Sequence, residues 1–380
     1  MTKRLLVIIP DRLSDLIRKG EMTPRYYNPG DLFDEVHILM TNDDHPDPRL
    51  LQRTVGRAKL SIYNLPADKR LFIRSLGWQT FLMKNWTERG LKIANHVSPH
   101  LIRVYNNFKE GYLAHQIKKN LGTPYVVSLH GVWDKDDLSI FKNRMISVFR
   151  RKLERISLEN SDHVIAVYQP ILRYAREYGA KTVSLIYNVV SSAWLKEKKE
   201  YEIQKRPRII TINRQLKEKN PENIIRAILD IDCEYTIVGD GPHHEYLEAL
   251  AKRAGVADKV TFIKAIANER LCQMLAEYDI MVSHCDYWGI PKSIIEASIV
   301  GLPIIINQHP LEPIPEYKGD WLMLCKNTSD GYAEAIKQMI GDSELRENMG
   351  KAAKIYAQNN WLPEEMEEEV VSIYRGLMKS

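Results

Sequence analysis

The sequence predicts an α/β protein with two doubly wound, Rossmann-like parallel-sheet domains. Three observations carry that expectation. Short apolar runs alternate with helical patterns along the chain. The alternation stops at a polar, charged stretch over residues 191–207 and then begins again. The strand-like runs are continuously apolar, as expected of parallel strands covered on both faces. At 380 residues, with 44% hydrophobic and 27% charged residues, the chain is long enough for two cores and has an ordinary globular composition.

In the first half, Leu5–Pro10, Glu35–Met40, Leu101–Tyr105, Tyr125–His130 and His163–Val167 read as strands. Gly111–Leu121 and Leu138–Glu159 read as helices between them. In such a sheet, functional residues gather at the carboxyl ends of strands. The segment SSAWLKEKKEYEIQKRP (191–207) has no strand pattern and is expected to be the linker. It separates a first domain over 1–190 from a second over 208–362. In the second domain the expected strands are Arg208–Ile212, Tyr235–Gly239, Val260–Ile263, Ile280–Ser283, Pro303–Ile306 and Trp321–Leu324. Helical patterns cover Pro221–Leu229, His243–Ala254, Asn268–Glu277, Gly331–Ile340 and the final Pro363–Met378.

Composition narrows the function classes. The four cysteines, Cys233, Cys272, Cys285 and Cys325, show no CxxC spacing. They suggest reduced thiols in a cytoplasmic protein, not a disulfide frame or a zinc site. The opening RLLVIIP is too short for a membrane span and lacks a signal-peptide cleavage region. Net charge is +5 but unevenly spread: residues 1–190 hold 30 Lys/Arg against 19 Asp/Glu, and the remainder 24 against 30. A basic first half suits an anionic partner, such as a lipid-linked phosphate, a membrane surface or an acidic glycan. Solubilising surface charge accounts for it equally well. No nucleic-acid recognition motif is present.

The most informative stretch is SHCDYWGIPKSIIEASIVGLPIII (283–306). Gly289 and Pro291 break the chain, and Pro291 suits the first position of the helix that follows. Gly301 ends that helix, Pro303 prevents its resumption, and Ile304-Ile305-Ile306 reads as a buried strand. Glu296 is the one acidic side chain in an otherwise uncharged helix. A carboxylate there needs a partner. A ribose diol could supply one, with phosphates at the helix amino end.

This stretch resembles the donor-site signature of the retaining GT-B glycosyltransferases of the family 4-like, group 1 type. Glu296, Ala297, Gly301 and Pro303 match the second half of the pattern. The family's first glutamate falls on Trp288, which departs from it. The resemblance implies a GT-B fold whose terminal helix, 363–380, packs back on the first domain. It also implies sugar transfer from an NDP-sugar co-substrate to a hydroxyl acceptor, a glycan or lipid-linked glycan, with anomeric retention. In the family the leaving phosphate is thought to take the acceptor proton. No further cofactor and no metal are implied, and Asp43-Asp44 and Asp134–Asp137 read as loops and helix starts.

Other positions fit the resemblance. Arg214 and Lys219, in TINRQLKEKNPENIIRAIL, follow a strand end and match the family's basic pair, suited to a leaving diphosphate. His130-Gly131 in VVSLHGVW resembles the family's segment beside the donor sugar, with His130 binding a hydroxyl or stabilising developing charge. Gly239-Asp240-Gly241-Pro242 resembles its glycine turn, with glycines allowing close backbone approach. Lys264, in VTFIKA, replaces a family glycine. Gly20, in Lys19-Gly20-Glu21, stands where the family has a glycine-rich phosphate or acceptor loop. Tyr187-Asn188 resembles the segment ending the first domain. The implied donor-binding set is Gly241, Asp286, Trp288, Gly289, Ile290, Pro291, Lys292, Ser293 and Glu296. In that set Trp288 stacks on the sugar and Asp286 stands in for the missing carboxylate.

Two basic, aromatic-rich stretches, residues 70–86 and 141–156, could lie on an anionic membrane surface, although packing on the sheet is the stronger reading. Two alternatives share the layout. One is a nucleotide-sugar 2-epimerase, which product analysis with donor alone distinguishes. The other is a non-catalytic nucleotide- or glycan-binding homologue.

Overall fold

The computed structural model describes residues 2–19, 23–67, 81–131, 144–188, 190, 194–219 and 221–379. The chain divides into two compact units. One is Met1–Asn188 with Glu364–Ser380, and the other is Val189–Pro363.

The first unit carries β1 (Arg4–Ile9), β2 (Glu35–Met40), β3 (Lys59–Asn64), β4 (Leu101–Val104), β5 (Tyr125–Leu129), β6 (His163–Ala166) and β7 (Val183–Leu185). They form one sheet in the order β3-β2-β1-β4-β5-β6-β7, and every described pairing is parallel. Strand β1, apolar after Arg4, sits at the centre with Leu5, Leu6, Val7 and Ile8 inaccessible to solvent. Strand order reverses there, so the carboxyl ends of β1 and β4 flank the switch point of the fold. The edge strands β3 and β7 have only partly buried positions after an exposed Lys59 and along 183–185. Half-buried edges lack the continuous apolar run that marks the central strands, which is why the sequence pattern misses them.

Helices α1 (Leu13–Lys19), α2 (Pro48–Leu51), α3 (Phe81–Val97), α4 (Lys109–Leu121), α5 (Arg144–Glu159) and α6 (Gln169–Glu177) connect these strands. The first strand-to-helix connection is Pro10–Arg12, without glycine. Lys19 closes α1, so the expected loop placement of Lys19-Gly20 is corrected, and Gly20 lies outside the described residues. The start of α1 is capped from the next crossover, where Asp44 accepts from Ser14 N at 2.8 Å. Of the two basic stretches, Trp86 is buried with its indole N–H donated to Leu65 O at 3.2 Å. Residues 70–80 and 141–143 lie outside the described residues. In α5, Phe149, Leu153 and Leu158 are buried in the unit's core. Its apolar face is therefore already covered, leaving Val148, Arg151, Lys152 and Arg155 exposed.

The second unit carries β8 (Arg208–Ile212), β9 (Glu234–Val238), β10 (Val260–Ile263), β11 (Ile280–Ser283), β12 (Ile304–Asn307) and β13 (Met323–Cys325), ordered β10-β9-β8-β11-β12-β13 and again parallel. Its helices are α7 (Glu222–Ala227), α8 (His244–Arg253), α9 (Asn268–Met274), α10 (Lys292–Val300), α11 (Ser329–Gly341) and α12 (Ser343–Asn360). Ile209, Ile237, Val282, Ile305, Tyr332 and Ile336 belong to its main core cluster. Pro291 does not open α10 as a helical residue. With ψ 137° it is the extended N-cap, and its carbonyl accepts from Ile294 N at 2.9 Å. Gly301 closes the helix at φ +83°, and Leu302 N returns to Ala297 O at 2.9 Å.

Residues 194–207, expected to be a linker, are packed on the second unit. Buried Lys198 donates from Nζ to Tyr278 O at 2.7 Å and from its backbone to Val300 O at 2.8 Å. Arg346 Nε donates to Tyr201 O at 2.8 Å, and Tyr201 OH to Gly301 O at 2.9 Å. Of the charged residues that suggested a free linker here, Lys198 satisfies backbone carbonyls. The last helix, α13 (Pro363–Leu377), belongs almost wholly to the first unit. Glu367 accepts from Gly30 N at 2.7 Å and Arg25 at 2.9 Å, and Tyr374 is fully buried beside Phe33.

Helix α12 crosses the end of α10 so closely that a Cβ on Gly350 would stand 2.4 Å from Gly301 O and from the Tyr201 ring. Gly350→Ala is expected to lower stability by about 1–3 kcal/mol, despite its better helix propensity. Thermal unfolding checks it; an unchanged or higher melting temperature would show that the crossing can relax.

Candidate functional site

The polar residues of the second unit gather at the carboxyl edge of its sheet. After β8 the chain runs Asn213-Arg214-Gln215, and after β9 it runs Gly239-Asp240-Gly241. These two loops are joined backbone to backbone. Asn213 N donates to Val238 O at 3.0 Å, Gln215 N to Asp240 O at 3.0 Å, and His243 N to Gln215 O at 3.2 Å. The buried Gln215 amide spans the gap, donating to Gly239 O at 2.7 Å and meeting His244 Nδ1 at 2.8 Å. A Cβ on Gly239 (φ +136°) would sit 2.0 Å from Asn213 O, and one on Gly241 2.3 Å from Gln215 O. The glycines therefore admit the neighbouring loop. This close approach is within the protein.

The loop after β11 is held from three strand ends. Asp286 Oδ1 accepts from Asn307 Nδ2 at 3.1 Å and Asn327 Nδ2 at 3.2 Å, and Oδ2 meets His284 Nε2 at 2.9 Å. Asn307 also accepts from Cys285 N at 2.8 Å. Tyr317 OH donates to Gly289 O at 3.3 Å. Ile290 and Pro291 are buried, so their side chains build the loop's own core. Trp288 is 4% exposed, with its ring centroid 4.4 Å from that of His309. The expected sugar-facing wall is corrected here: the indole packs the loop. Burial holds the His309 imidazole below its ordinary pKa, with Asp286 opposing.

Helix α10 starts at the end of this loop, so its positive dipole end lies at the same edge. Ser293 Oγ donates to Ile212 O at 3.0 Å, pinning that end to β8. Lys292 and Arg214 are exposed. Lys219 Nζ stands 4.6 Å from the Tyr287 ring centroid, so the basic loop and the 284–291 loop adjoin. Glu296 is 6% exposed, and its Oε1 accepts from Asn268 Nδ2 at 3.0 Å. Asn268 and Tyr287 were not singled out from sequence. Asn268 reads as an ordinary helix start, and Tyr287 as one aromatic in a run. Burial raises the thiols, Cys233 to about 11 and Cys272, Cys285 and Cys325 to about 12. All four are free and buried, which disfavours the nucleophilic thiolate at neutral pH. Among the described residues no group of three or more His, Cys, Asp or Glu could hold a metal.

In the first unit, His130 follows β5 and is exposed at the sheet's carboxyl edge. Its ring stacks on Tyr105 at 5.6 Å and 29°, and Tyr105 stacks on Tyr26 at 5.6 Å and 28°. A Cβ on Gly131 would meet nothing within 4 Å. Asn188 is buried and donates to Tyr168 OH at 3.0 Å, at the end of the unit's first segment.

Two parallel-sheet units with polar carboxyl edges, one bearing a basic loop, a helix amino end and a buried carboxylate, define a doubly wound α/β protein of the two-domain kind. The sequence matches the family model Glycosyl transferases group 1 over residues 194–356 and that of Glycosyltransferase Family 4 over residues 32–194. The chain belongs to the GT-B, family 4-like glycosyltransferases. It is 24% identical over 306 residues to N-acetyl-alpha-D-glucosaminyl L-malate synthase of Bacillus anthracis, covering 76% of this chain and 77% of that one. Its fold is similar to that of sucrose-phosphate synthase from Thermosynechococcus elongatus, with TM-score 0.74, 16% identity and 99% of each chain covered. It is also similar to Anabaena Alr3699/HepE in complex with UDP, with TM-score 0.74, 14% identity, and 99% and 100% of the two chains covered.

Trp288→Ala is expected to destabilise the second unit by about 3–5 kcal/mol, the usual cost of emptying an aromatic site in a core. An unfolding curve unchanged from wild type would return the indole to a ligand-facing role.

Proposed function

We propose that the chain moves a sugar from an NDP-sugar to the hydroxyl of a glycan or lipid-linked glycan with retention of anomeric configuration, in surface polysaccharide or glycoconjugate assembly. One observation supports this most. Arg214, Lys219, the amino end of α10 and Glu296 all belong to one sheet edge within the second unit. The UDP bound in the HepE structure fits the same reading of the donor.

In this proposal Arg214, Lys219 and the α10 N–H groups stabilise the charge that develops on the leaving diphosphate. Glu296, steadied by Asn268, accepts from the ribose hydroxyls. Asp286 is the carboxylate left to meet the sugar, 30% exposed at its side chain. Its three existing partners fix its orientation, so a hydroxyl would add to a preorganised group. His130 is assigned to a sugar hydroxyl or to charge developing at the anomeric centre. The departing phosphate oxygen takes the acceptor proton, so no protein base is assigned. Neither a resident cofactor nor a metal has a role in this scheme.

Arg214→Ala and Lys219→Ala should each weaken NDP binding about tenfold without loss of folding, since charge-assisted contacts are worth roughly 1.5–3 kcal/mol. Glu296→Gln should weaken a ribonucleotide more than its 2′,3′-dideoxy analogue. Calorimetry on both ligands decides: equal losses would make Glu296 a structural residue, and unchanged NDP affinity in both basic variants would remove the diphosphate assignment.

The exposed basic side of α5, with Arg151, Lys152 and Arg155, is proposed to give weak peripheral contact with an anionic bilayer. Flotation with anionic vesicles should show binding that disappears at high salt. Equal recovery with neutral vesicles would exclude that surface.

A further inference from the structure

Among the described residues, Arg103 is a buried cation without a carboxylate partner. It lies on β4 and is 8% exposed. In the β4–β5 register Arg103 faces Val126, yet its Nε donates to Ser128 Oγ at 3.1 Å, two residues nearer the carboxyl edge. The side chain therefore runs along the sheet toward that edge. Tyr105 alternates with Arg103 on the same strand face, and the guanidinium carbon stands 4.7 Å from its ring centroid and 5.8 Å from that of Tyr374 on α13. Tyr105 in turn carries the His130 ring.

The polar inventory of this cluster is one-sided. A guanidinium offers five N–H donors, and among the described residues its acceptors are two neutral hydroxyls, Ser128 Oγ and the Tyr374 phenol. Among the described residues the buried Tyr105 hydroxyl has no hydrogen-bond partner, and the Tyr374 hydroxyl has Arg103 as its partner but no acceptor for its own proton. Burial raises both phenols above their ordinary range, with Arg103 pulling the other way. They are therefore protonated at neutral pH and act as donors, not as counter-ions. Ring faces offset only part of the cost of burying a cation. What the cluster lacks is an oxygen-rich anion.

We propose that Arg103, with the Tyr105 and Tyr374 hydroxyls, forms an oxyanion-recognition site in the first unit that takes a carboxylate or phosphate carried by the acceptor. The proposal rests on the glycosyltransferase reading for the word acceptor, but the site is defined by its own donors. A planar carboxylate or a phosphate can take two parallel N–H bonds from a guanidinium and one from each hydroxyl. Because Tyr105 lies between Arg103 and His130, a group bound there would place the rest of its molecule at the strand ends where His130 emerges.

The test is calorimetry on the full chain without donor, using inorganic phosphate, L-malate and phosphatidylglycerol vesicles as separate probes. At least one probe should bind the wild type, and Arg103→Met should weaken it about tenfold or more. Tyr105→Phe removes a hydroxyl with no internal partner among the described residues. It should weaken the same probe about threefold without lowering the melting temperature. The responding probe identifies the source: a small carboxylate, free phosphate or a lipid headgroup. If Arg103→Met does not fold, Tyr374→Phe and Tyr105→Phe carry the comparison. Wild-type affinity for every probe in the hydroxyl variants, or no binding by the wild type at millimolar concentration, overturns the site. NDP titration of the same samples reads the second unit separately. A failure there would sink the donor assignment while leaving the anion result standing.

Discussion

The working edge of the second unit depends on the Asp286 carboxylate. Its strands β11, β12 and β13 are short apolar runs that end almost together, and each end releases backbone and amide groups into a poorly hydrated corner. Asp286 collects them, taking Asn307 and Asn327 on one oxygen and His284 on the other. Asn307 then closes on the Cys285 backbone from both directions. A buried polar network of this kind specifies geometry only when its members are satisfied together. Here it fixes the loop that delivers the chain to Pro291, and so fixes where α10 begins. The position of Ser293 against β8 and of Glu296 one turn later follows from it.

Much of this was legible in the sequence, for definable reasons. Central strands announce themselves as unbroken apolar runs, and helix ends as Gly301 and Pro303, because backbone sterics leave few alternatives there. The edge strands β3 and β7 were illegible because half-buried residues carry neither an apolar run nor clean alternation. The 194–207 segment misled for the opposite reason. Its lysines and tyrosine look like solvent-facing linker residues, but Lys198 and Tyr201 spend their polar atoms on carbonyls of β11's approach and of Gly301. Composition cannot distinguish a charge kept in water from one used to cap backbone.

Site residues divide along the same line. Arg214, Lys219, Ser293 and Glu296 could be placed from spacing, since a strand end and a helix start set their positions. Trp288 could not. A family departure draws attention to the side chain as a ligand contact, whereas its burial against His309 is decided by Tyr317, Gly289 and the loop's path. Gly239 and Gly241 show the same ambiguity. A glycine reports that something comes close, and here the visible neighbour is the 213–215 backbone. Asn268 had no signal at all, because its bond to Glu296 joins positions 28 residues apart on different helices.

The two units solve one problem differently. Parallel strands covered on both faces force polar side chains toward carboxyl ends, where each must find a partner or a ligand. In the second unit the edge is largely self-satisfied: Asp286 has three partners, Gln215 has partners for both ends of its amide, and Glu296 has Asn268. Ligand binding there adds contacts to groups already oriented, which favours precision over depth. In the first unit, among the described residues, the β4 end leaves a guanidinium beside neutral hydroxyls and no anion. A closed edge and an open one imply different thermodynamics. The first can bind its ligand with little rearrangement, while the second holds an uncompensated charge that an incoming anion would relieve. That asymmetry follows from the strands alone: β11 ends on Ser283 and small polar neighbours, whereas β4 carries Arg103 one residue before its end.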